Sequence, residues 1–293
     1  MVENFLNYMT NVRGCAPRSA ETYRSALKNF ASFLRIRKEH PSWSSVSVED
    51  IASYVFYMRS NGLKPSTINV FIASATSFFD YLCRFHGLAS NPAAMIDKMK
   101  EPKRLPSVIE DNVMSAFFCH FAQPSQMAFS KHVSFVCISI MYYAGLRASE
   151  VMSLRWCSIR ENCFRIIGKG DKERIVPICR ELREILDEYE WRQEGFLGIH
   201  GDFIVCKNDG SAISPSFLRR EVKEILVACG CPSELAHPHS LRHAFATRMA
   251  AMGLSLVSLQ KILGHTSLNT TQIYVNLADS FASSEFFNLT NSL

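Results

Sequence analysis

The sequence contains no apolar run near the roughly 18 residues that a membrane span requires, although 47% of its 293 residues are hydrophobic. Its first residues, MVENFLNYMTNVRG, lack the basic-then-apolar order of a signal peptide. Internal repeats and low-complexity tracts are also missing. We therefore expect a globular protein of the cytoplasm, with room for about two domains at this length.

Closely spaced cysteine pairs of the metal-binding type are missing as well, although the chain has ten cysteines. None forms the CxxC spacing of a zinc ribbon. Most lie in apolar stretches such as SFVCISIM, where reduced thiols serve as small hydrophobic side chains. Cys229 and Cys231 flank Gly230, which is more typical of a turn than of a metal site. We expect reduced cysteines and no bound metal.

Positive charge is concentrated on the N-terminal side of the chain. Residues 1–106 contain 14 Lys and Arg against 8 Asp and Glu, whereas residues 107–293 contain 18 against 19. This difference is typical of a module that grips a phosphate backbone joined to a module that does chemistry. A solvated basic surface explains the charge equally well, so charge alone does not decide between the two.

Helical patterns extend over the first hundred residues. Apolar spacing and capping signals predict helices over about 17–38, 47–59 and 64–85, and hence a compact helical domain over 1–98. The segment 99–106 contains two prolines, cannot continue a helix smoothly and predicts a linker. The basic residues in and beside the linker are candidates for DNA contact, together with one lysine of the second domain: Lys98, Lys100, Lys103, Arg104 and Lys172.

The remaining residues, 107–293, predict a mostly helical second domain with a small sheet. The β-type runs 163–167 and 173–177 flank the turn GKGDK and predict a hairpin, and 202–206 is the candidate for a third strand. Helices are expected over 109–121, 132–144, 181–192, 215–229, 241–252, 255–263 and 268–276.

Breaking a phosphodiester without a metal requires a nucleophile, cations and an acid. Arg147, in YAGLRASE, follows a helix that ends at Gly145, and a guanidinium there can face a phosphate. Glu150 lies one helical turn later and can hold this arginine. An arginine at a helix junction is, however, more often part of a surface salt bridge.

The hairpin tip provides a candidate acid. Lys169 lies between Gly168 and Gly170, where a flexible ammonium group can reach a leaving oxygen. Lys172 competes for this role, and a lysine in such a turn commonly serves only solubility.

The strongest local signal is HPHSLRHAFATR, at 237–248. His239 and Arg242 are three residues apart and project from one face of a predicted helix. His239 and His243 also have the spacing of a zinc-binding helix, but Ser240 stands where that motif needs glutamate. The pattern therefore favours an anion site over a metal site.

Two further candidates follow. His265 lies in LGHTS, after a helix that stops at Gly264, and Tyr274 lies nine residues further on in NTTQIY. In order, the segments YAGLRASEVMSL, IIGKGDKERIVPI, HPHSLRHAFATRMAAMG and LQKILGHTSLNTTQIY closely resemble the four signature segments of tyrosine recombinases, particularly the Xer and phage integrase branch. The N-terminal segments SAETYRSALKNFASFL and KPSTINVFIASATSFFDYL resemble this family less closely.

The resemblance implies a mainly α fold, with a helical SAM-like core-binding domain and a mixed, mostly α catalytic domain of the DNA breaking-rejoining type that carries a small antiparallel β-sheet. It implies site-specific recombination through a covalent 3′-phosphotyrosine and a Holliday junction, without ATP, a metal or another cofactor. Tyr274 would attack the phosphate, Lys169 would protonate the leaving 5′ hydroxyl, and His239 would exchange the tyrosine proton. The phosphate would be surrounded by Arg147, His239, Arg242 and His265, with Glu150 supporting Arg147.

The resemblance also implies partners: a double-stranded recombination site, a homotetramer in the synaptic complex, and room for accessory DNA-bending proteins. The protein would then associate with the nucleoid. Apolar residues of the tail after Tyr274, such as Phe286 and Phe287, would dock on a neighbouring protomer or on their own domain. Two alternatives stay open. A type IB topoisomerase-like enzyme would relax any supercoiled plasmid as a monomer, and an architectural DNA-binding protein would never form a covalent adduct.

Overall fold

The computed structural model of the chain describes residues 1–37, 42–100, 107–123, 126–168, 173–198, 201–264 and 271. The chain divides into two units, Met1–Lys103 and Arg104–Leu293. Among the described residues, no helix combines the length and the apolar character that crossing a bilayer requires.

The described residues of the first unit form four α-helices: α1 (Val2–Asn11), α2 (Pro17–Arg37), α3 (Val48–Ser60) and α4 (Pro65–His86). The start of α3 is fixed by a reciprocal cap, in which the Asp50 carboxylate accepts from the Ser47 N–H and the Ser47 hydroxyl accepts from the Asp50 N–H. The apolar faces of the helices meet in an aromatic core, where Phe5 contacts Phe78 and Phe30 contacts Phe71 edge to face.

The second unit combines seven described α-helices with three short strands. The helices are α5 (Asp111–His120), α6 (Phe129–Ala144), α7 (Ala148–Ser153), α8 (Arg180–Leu197), α9 (Pro215–Ala228), α10 (Pro238–Ala251) and α11 (Leu256–Leu263). Helix α6 is buried on nearly all sides because it packs against α7, α8, α9 and α10. The mainly helical architecture predicted from the sequence is confirmed.

The small antiparallel sheet has the order β1 (Ile159–Arg160), β2 (Cys163–Ile167) and β3 (Glu173–Pro177). The pairing of β2 with β3 agrees with the predicted hairpin, whose tip lies outside the described residues.

The prediction of a third strand at 202–206 was wrong, because the third strand is β1. Within 202–206, Phe203 and Cys206 form only isolated bridges. The carbonyl groups of Phe203 and Ile204 accept from the side chain of Gln193, each at 3.1 Å, instead of from a neighbouring strand. Ile204, Val205 and Cys206 are all buried, so the segment lacks the alternation of a sheet with one wet face. The helix predicted over 268–276 lies outside the described residues, apart from Thr271.

Candidate active site

Arg147 is held at the junction between α6 and α7. The carboxylate of Glu150 accepts from the backbone N–H of Arg147 and from its Nη1, both at 2.8 Å. The Arg147 side chain is 37% exposed, whereas that of Glu150 is 11% exposed. The carboxylate therefore anchors the arginine from the protein side, and the guanidinium keeps a surface open to solvent.

A second arginine, Arg174 on β3, binds the same carboxylate. Its Nη1 donates to Glu150 Oε1 at 2.9 Å and its Nη2 donates to Glu150 Oε2 at 2.7 Å, which is a bidentate pair. Burial alone raises the pKa of Glu150, but the hydrogen bonds from Arg174 and Arg147 outweigh it and lower this pKa overall. Glu150 is therefore ionised at neutral pH.

Arg242, on α10, is buried, and two carbonyl oxygens accept from its guanidinium. Its Nη1 donates to Gly145 O at 2.7 Å, and its Nη2 donates to Leu263 O. Gly145 has a φ of +62°, and a Cβ built on it would lie 2.3 Å from Cδ1 of Phe245. Glycine therefore allows α10 to approach the end of α6 closely enough for this contact.

Three consecutive carbonyls at the C-terminal end of α11 accept from three different arginines. Ile262 O accepts from Arg174 Nε at 2.8 Å, Leu263 O from Arg242, and Gly264 O from Arg147 Nη2 at 3.2 Å. The last carbonyls of a helix have no partner within the helix and carry the negative end of its dipole, so cations are favoured there. The three guanidinium groups thus converge on the turn that immediately precedes His265.

His239 lies in the first turn of α10 and remains accessible to solvent. Partial burial lowers its pKa from the ordinary value, and the positive charges of Arg242 and Arg147 and nearby His237 act in the same direction. The imidazole is therefore neutral at pH 7 and can accept a proton. His243, one turn along, has a pKa lowered to about 4 by burial and by the nearby His239, Arg242 and His237.

The structure does not describe most of the other predicted site residues. Lys169, Lys172, His265 and Tyr274 are outside the described residues, as are Lys103 and Arg104. Lys98 and Lys100 are exposed at the end of the first unit. Within the described part of the chain, no group of three or more His, Cys, Asp or Glu residues is placed to hold a metal ion.

Sequence reasoning missed Arg174. Strand β3 alternates, with Arg174 and Val176 on the inner face and with Glu173, Ile175 and Pro177 exposed. A cation two residues from a buried valine in such a strand indicates a buried ion pair, and this signal is present in KERIVP.

The sequence model described as "Phage integrase family" matches residues 110–280, which is more than half of the chain. The chain belongs to this family. A second sequence model, "Phage integrase, N-terminal SAM-like domain", matches residues 2–86.

Curated tyrosine recombinases match this chain over nearly its whole length. XerD of Proteus mirabilis is 30% identical over 286 residues, which are 95% of this chain and 88% of that protein. XerD of Listeria monocytogenes is 27% identical over 282 residues, 94% of each chain. XerC of Staphylococcus aureus is 28% identical over 279 residues, 94% of this chain and 92% of that protein. The protein is a tyrosine-type site-specific recombinase.

Solved structures of recombinases share the fold. XerH bound to palindromic difH superposes with a TM-score of 0.76 at 21% identity, over 97% of this chain and 84% of that chain. A lambda integrase dimer bound to a COC′ core site gives a TM-score of 0.68 at 18% identity, over 93% of this chain and 76% of that chain. The helical fold with its small sheet is therefore that of the tyrosine recombinases.

Proposed function

We propose that this recombinase cuts and rejoins double-stranded DNA through a covalent 3′-phosphotyrosine on Tyr274. The observation that carries the proposal is the convergence of Arg147, Arg174 and Arg242 on the end of α11. His265 follows that turn directly, and Tyr274 lies nine residues beyond it in the sequence. In the sequence, the proposed nucleophile thus follows within ten residues of the turn that binds the three arginines.

The proposed chemistry follows from ordinary pKa values. A phenol with a pKa near 10 is a poor nucleophile at pH 7. Arg147 and Arg242 lower the energy of the phenolate and stabilise the charge that develops on the phosphate oxygens during attack. His239, whose lowered pKa makes it neutral, accepts the tyrosine proton. Lys169 donates a proton to the departing 5′ oxygen, and His265 contributes a further donor to the phosphate.

The phosphotyrosine retains the energy of the broken bond, so the 5′ hydroxyl of a second strand can reverse the reaction. Neither ATP nor a metal is needed for this exchange. Two successive strand exchanges proceed through a Holliday junction, and they require four protomers bound to two duplexes. One structural relative, a lambda integrase tetramer bound to a Holliday junction, supports this assembly. Residues 1–98 would serve as the core-binding domain, 99–106 as the linker and 107–293 as the catalytic domain.

DNA contact by the first unit is supported by its excess of basic residues, and the exposed Lys98 and Lys100 lie at its end. Backbone contacts of this kind position a protein on DNA but do not read its sequence. Through this binding, the recombinase would associate with the nucleoid. Accessory DNA-bending proteins are compatible with the proposal and are not required by the chemistry.

The test compares the natural protein with Tyr274→Phe. A binding site is selected from a randomised duplex pool by gel shift and then nicked, so that a cleaved strand cannot be rejoined. The natural protein should accumulate a covalent DNA adduct, whereas Tyr274→Phe should bind the site with similar affinity and form none. An adduct with the Phe variant would exclude Tyr274 as nucleophile. Relaxation of any plasmid by a monomer would favour a topoisomerase, and binding without any adduct would favour an architectural protein.

A further inference from the structure

We propose that Arg174 is a positioning residue that offsets the charge of Glu150, so that Arg147 is held in place and still attracts a phosphate. This inference rests on the proposed function, because it assumes that Arg147 binds the scissile phosphate.

The first support is the way in which the carboxylate of Glu150 is used. Oε1 accepts from Arg147 Nη1 and from Arg174 Nη1, and Oε2 accepts from the Arg147 N–H and from Arg174 Nη2. An ionised carboxylate offers about four lone-pair sites. All four are therefore occupied, two of them by Arg174, and the carboxylate has no free lone pair directed towards a ligand.

The second support is the balance of charge. An arginine paired only with a carboxylate is a neutral unit, and the carboxylate repels an incoming phosphate across a short, poorly screened distance. With Arg174 included, the group of two arginines and Glu150 carries one net positive charge. Arg174 itself is 11% exposed, so it contributes its charge from behind the site rather than by contact with DNA.

The third support is the position of Arg174 between two parts of the candidate site. Its Nε donates to Ile262 O at 2.8 Å, on the same turn that binds Arg147 and Arg242. A Cβ built on Gly264 would lie 3.0 Å from Cδ of Arg174, so the glycine leaves space for this side chain. Arg174 therefore ties Glu150 to the end of α11 and to the β2–β3 hairpin.

A structural salt bridge and a charge-offsetting group predict different outcomes. We expect Arg174→Gln to slow formation of the covalent adduct by about 10- to 100-fold, because Glu150 is then left to neutralise Arg147. In a Glu150→Gln background, the same Arg174→Gln change should cost less than about threefold, since no carboxylate remains to be offset. Arg174→Lys keeps a cation and should lose less than about fivefold.

Arg165→Gln is the matched control. Arg165 belongs to the same hairpin and pairs with Glu173 through two nitrogens, but it is 51% exposed and contacts none of the described residues of the candidate site. Its replacement should change the rate less than twofold. A second readout uses a substrate with an uncharged methylphosphonate at the cleavage position. There the defect of Arg174→Gln should shrink, because a neutral phosphorus centre is not repelled by Glu150.

The results separate this inference from the proposed function. If the natural protein forms no adduct through Tyr274, the proposed function fails. If it does, and Arg174→Gln is equally slow with and without the Glu150→Gln change and with either substrate, Arg174 is only structural and the inference is wrong. Should Arg174→Gln fail to fold alone, the comparison within the Glu150→Gln background still decides. If the double variant with Arg174→Gln and Glu150→Gln folds but forms the adduct much more slowly than Glu150→Gln alone, the inference is wrong.

Discussion

Replacement of Gly145 by alanine tests whether the close contact between α6 and α10 sets the position of Arg242. Gly145 ends α6 with a φ of +62°, and its carbonyl accepts from Arg242. Gly198 ends α8 with a φ of +71°, but a Cβ built there would meet no atom of the described residues within 4 Å. The two alanine variants therefore share the backbone penalty and differ in the steric clash.

The magnitudes follow from these two terms. A left-handed conformation costs an ordinary residue roughly 1–2 kcal/mol, and this applies to both variants. In Gly145→Ala the new Cβ would lie 2.3 Å from the ring of Phe245, which is buried with Leu259 and Leu263 and cannot retreat freely. Such overpacking adds about 1–3 kcal/mol. We expect Gly145→Ala to lose about 2–5 kcal/mol and Gly198→Ala about 1–2 kcal/mol.

The assay is urea unfolding followed by tryptophan fluorescence in a Trp43→Phe background. Trp43 lies in the first unit, so the remaining Trp156 and Trp191 report on the second unit. Adduct formation is measured on the same proteins, and it should fall for Gly145→Ala because displacement of Phe245 moves α10 and Arg242. Equal losses of unfolding free energy in both variants would refute the steric argument. A normal cleavage rate in a destabilised Gly145→Ala protein would refute the link to Arg242.

Two further predictions concern the acid and the pH dependence. Lys169→Ala should slow cleavage of an ordinary site, and a bridging 5′-phosphorothiolate, whose sulfur leaves without protonation, should restore much of the rate. Equal defects on both substrates would show that Lys169 is not the acid. If the phosphorothiolate instead restored the rate of Lys172→Ala, Lys172 would be the acid. His132 is buried beside Arg192, and burial and this cation lower its pKa to about 4. The unfolded chain therefore binds a proton at His132 more readily than the folded chain does. The stabilisation by the neutral, buried imidazole is fully present above about pH 6.5, and as the pH falls towards 4 the free energy of unfolding decreases by up to about 3 kcal/mol. The unfolding free energy of His132→Asn should fall less over this range, and identical slopes would contradict the assignment.

Local signals explain which elements could be predicted from the sequence. Ser47 and Asp50 mark the start of α3, and Gly145 marks the end of α6, since capping chemistry depends on neighbouring residues. Helix α1 has no side-chain cap and was not predicted as a separate helix, because Phe5 is stabilised by distant partners on α4. The prediction of a strand at 202–206 was wrong for a similar reason, because the distant side chain of Gln193 donates hydrogen bonds to carbonyl groups of this segment.

The candidate site was predictable only in part. The motifs indicated four residues directly, because each of them stands within a segment that resembles the family's signature segments: Arg147, Glu150, His239 and Arg242. The two arginines are also anchored by backbone carbonyls more than 20 residues distant in the sequence, such as Gly264 O for Arg147 and Leu263 O for Arg242. A carbonyl is present at every position, so no residue type identifies it as an acceptor. Arg174 was missed because its partner Glu150 already had an assigned role.

Anchoring through carbonyls has a consequence for how the site tolerates sequence change. Any side chain at 262 or 263 leaves the same oxygen for an arginine, so substitutions there are limited by packing alone. The length of α11 is different, because each added residue turns the helix by about 100° and moves it forward by about 1.5 Å. A single insertion or deletion before Ile262 would withdraw the acceptors of three arginines at once. We therefore expect active variants of this recombinase to differ in the residues of α11 and to keep its length.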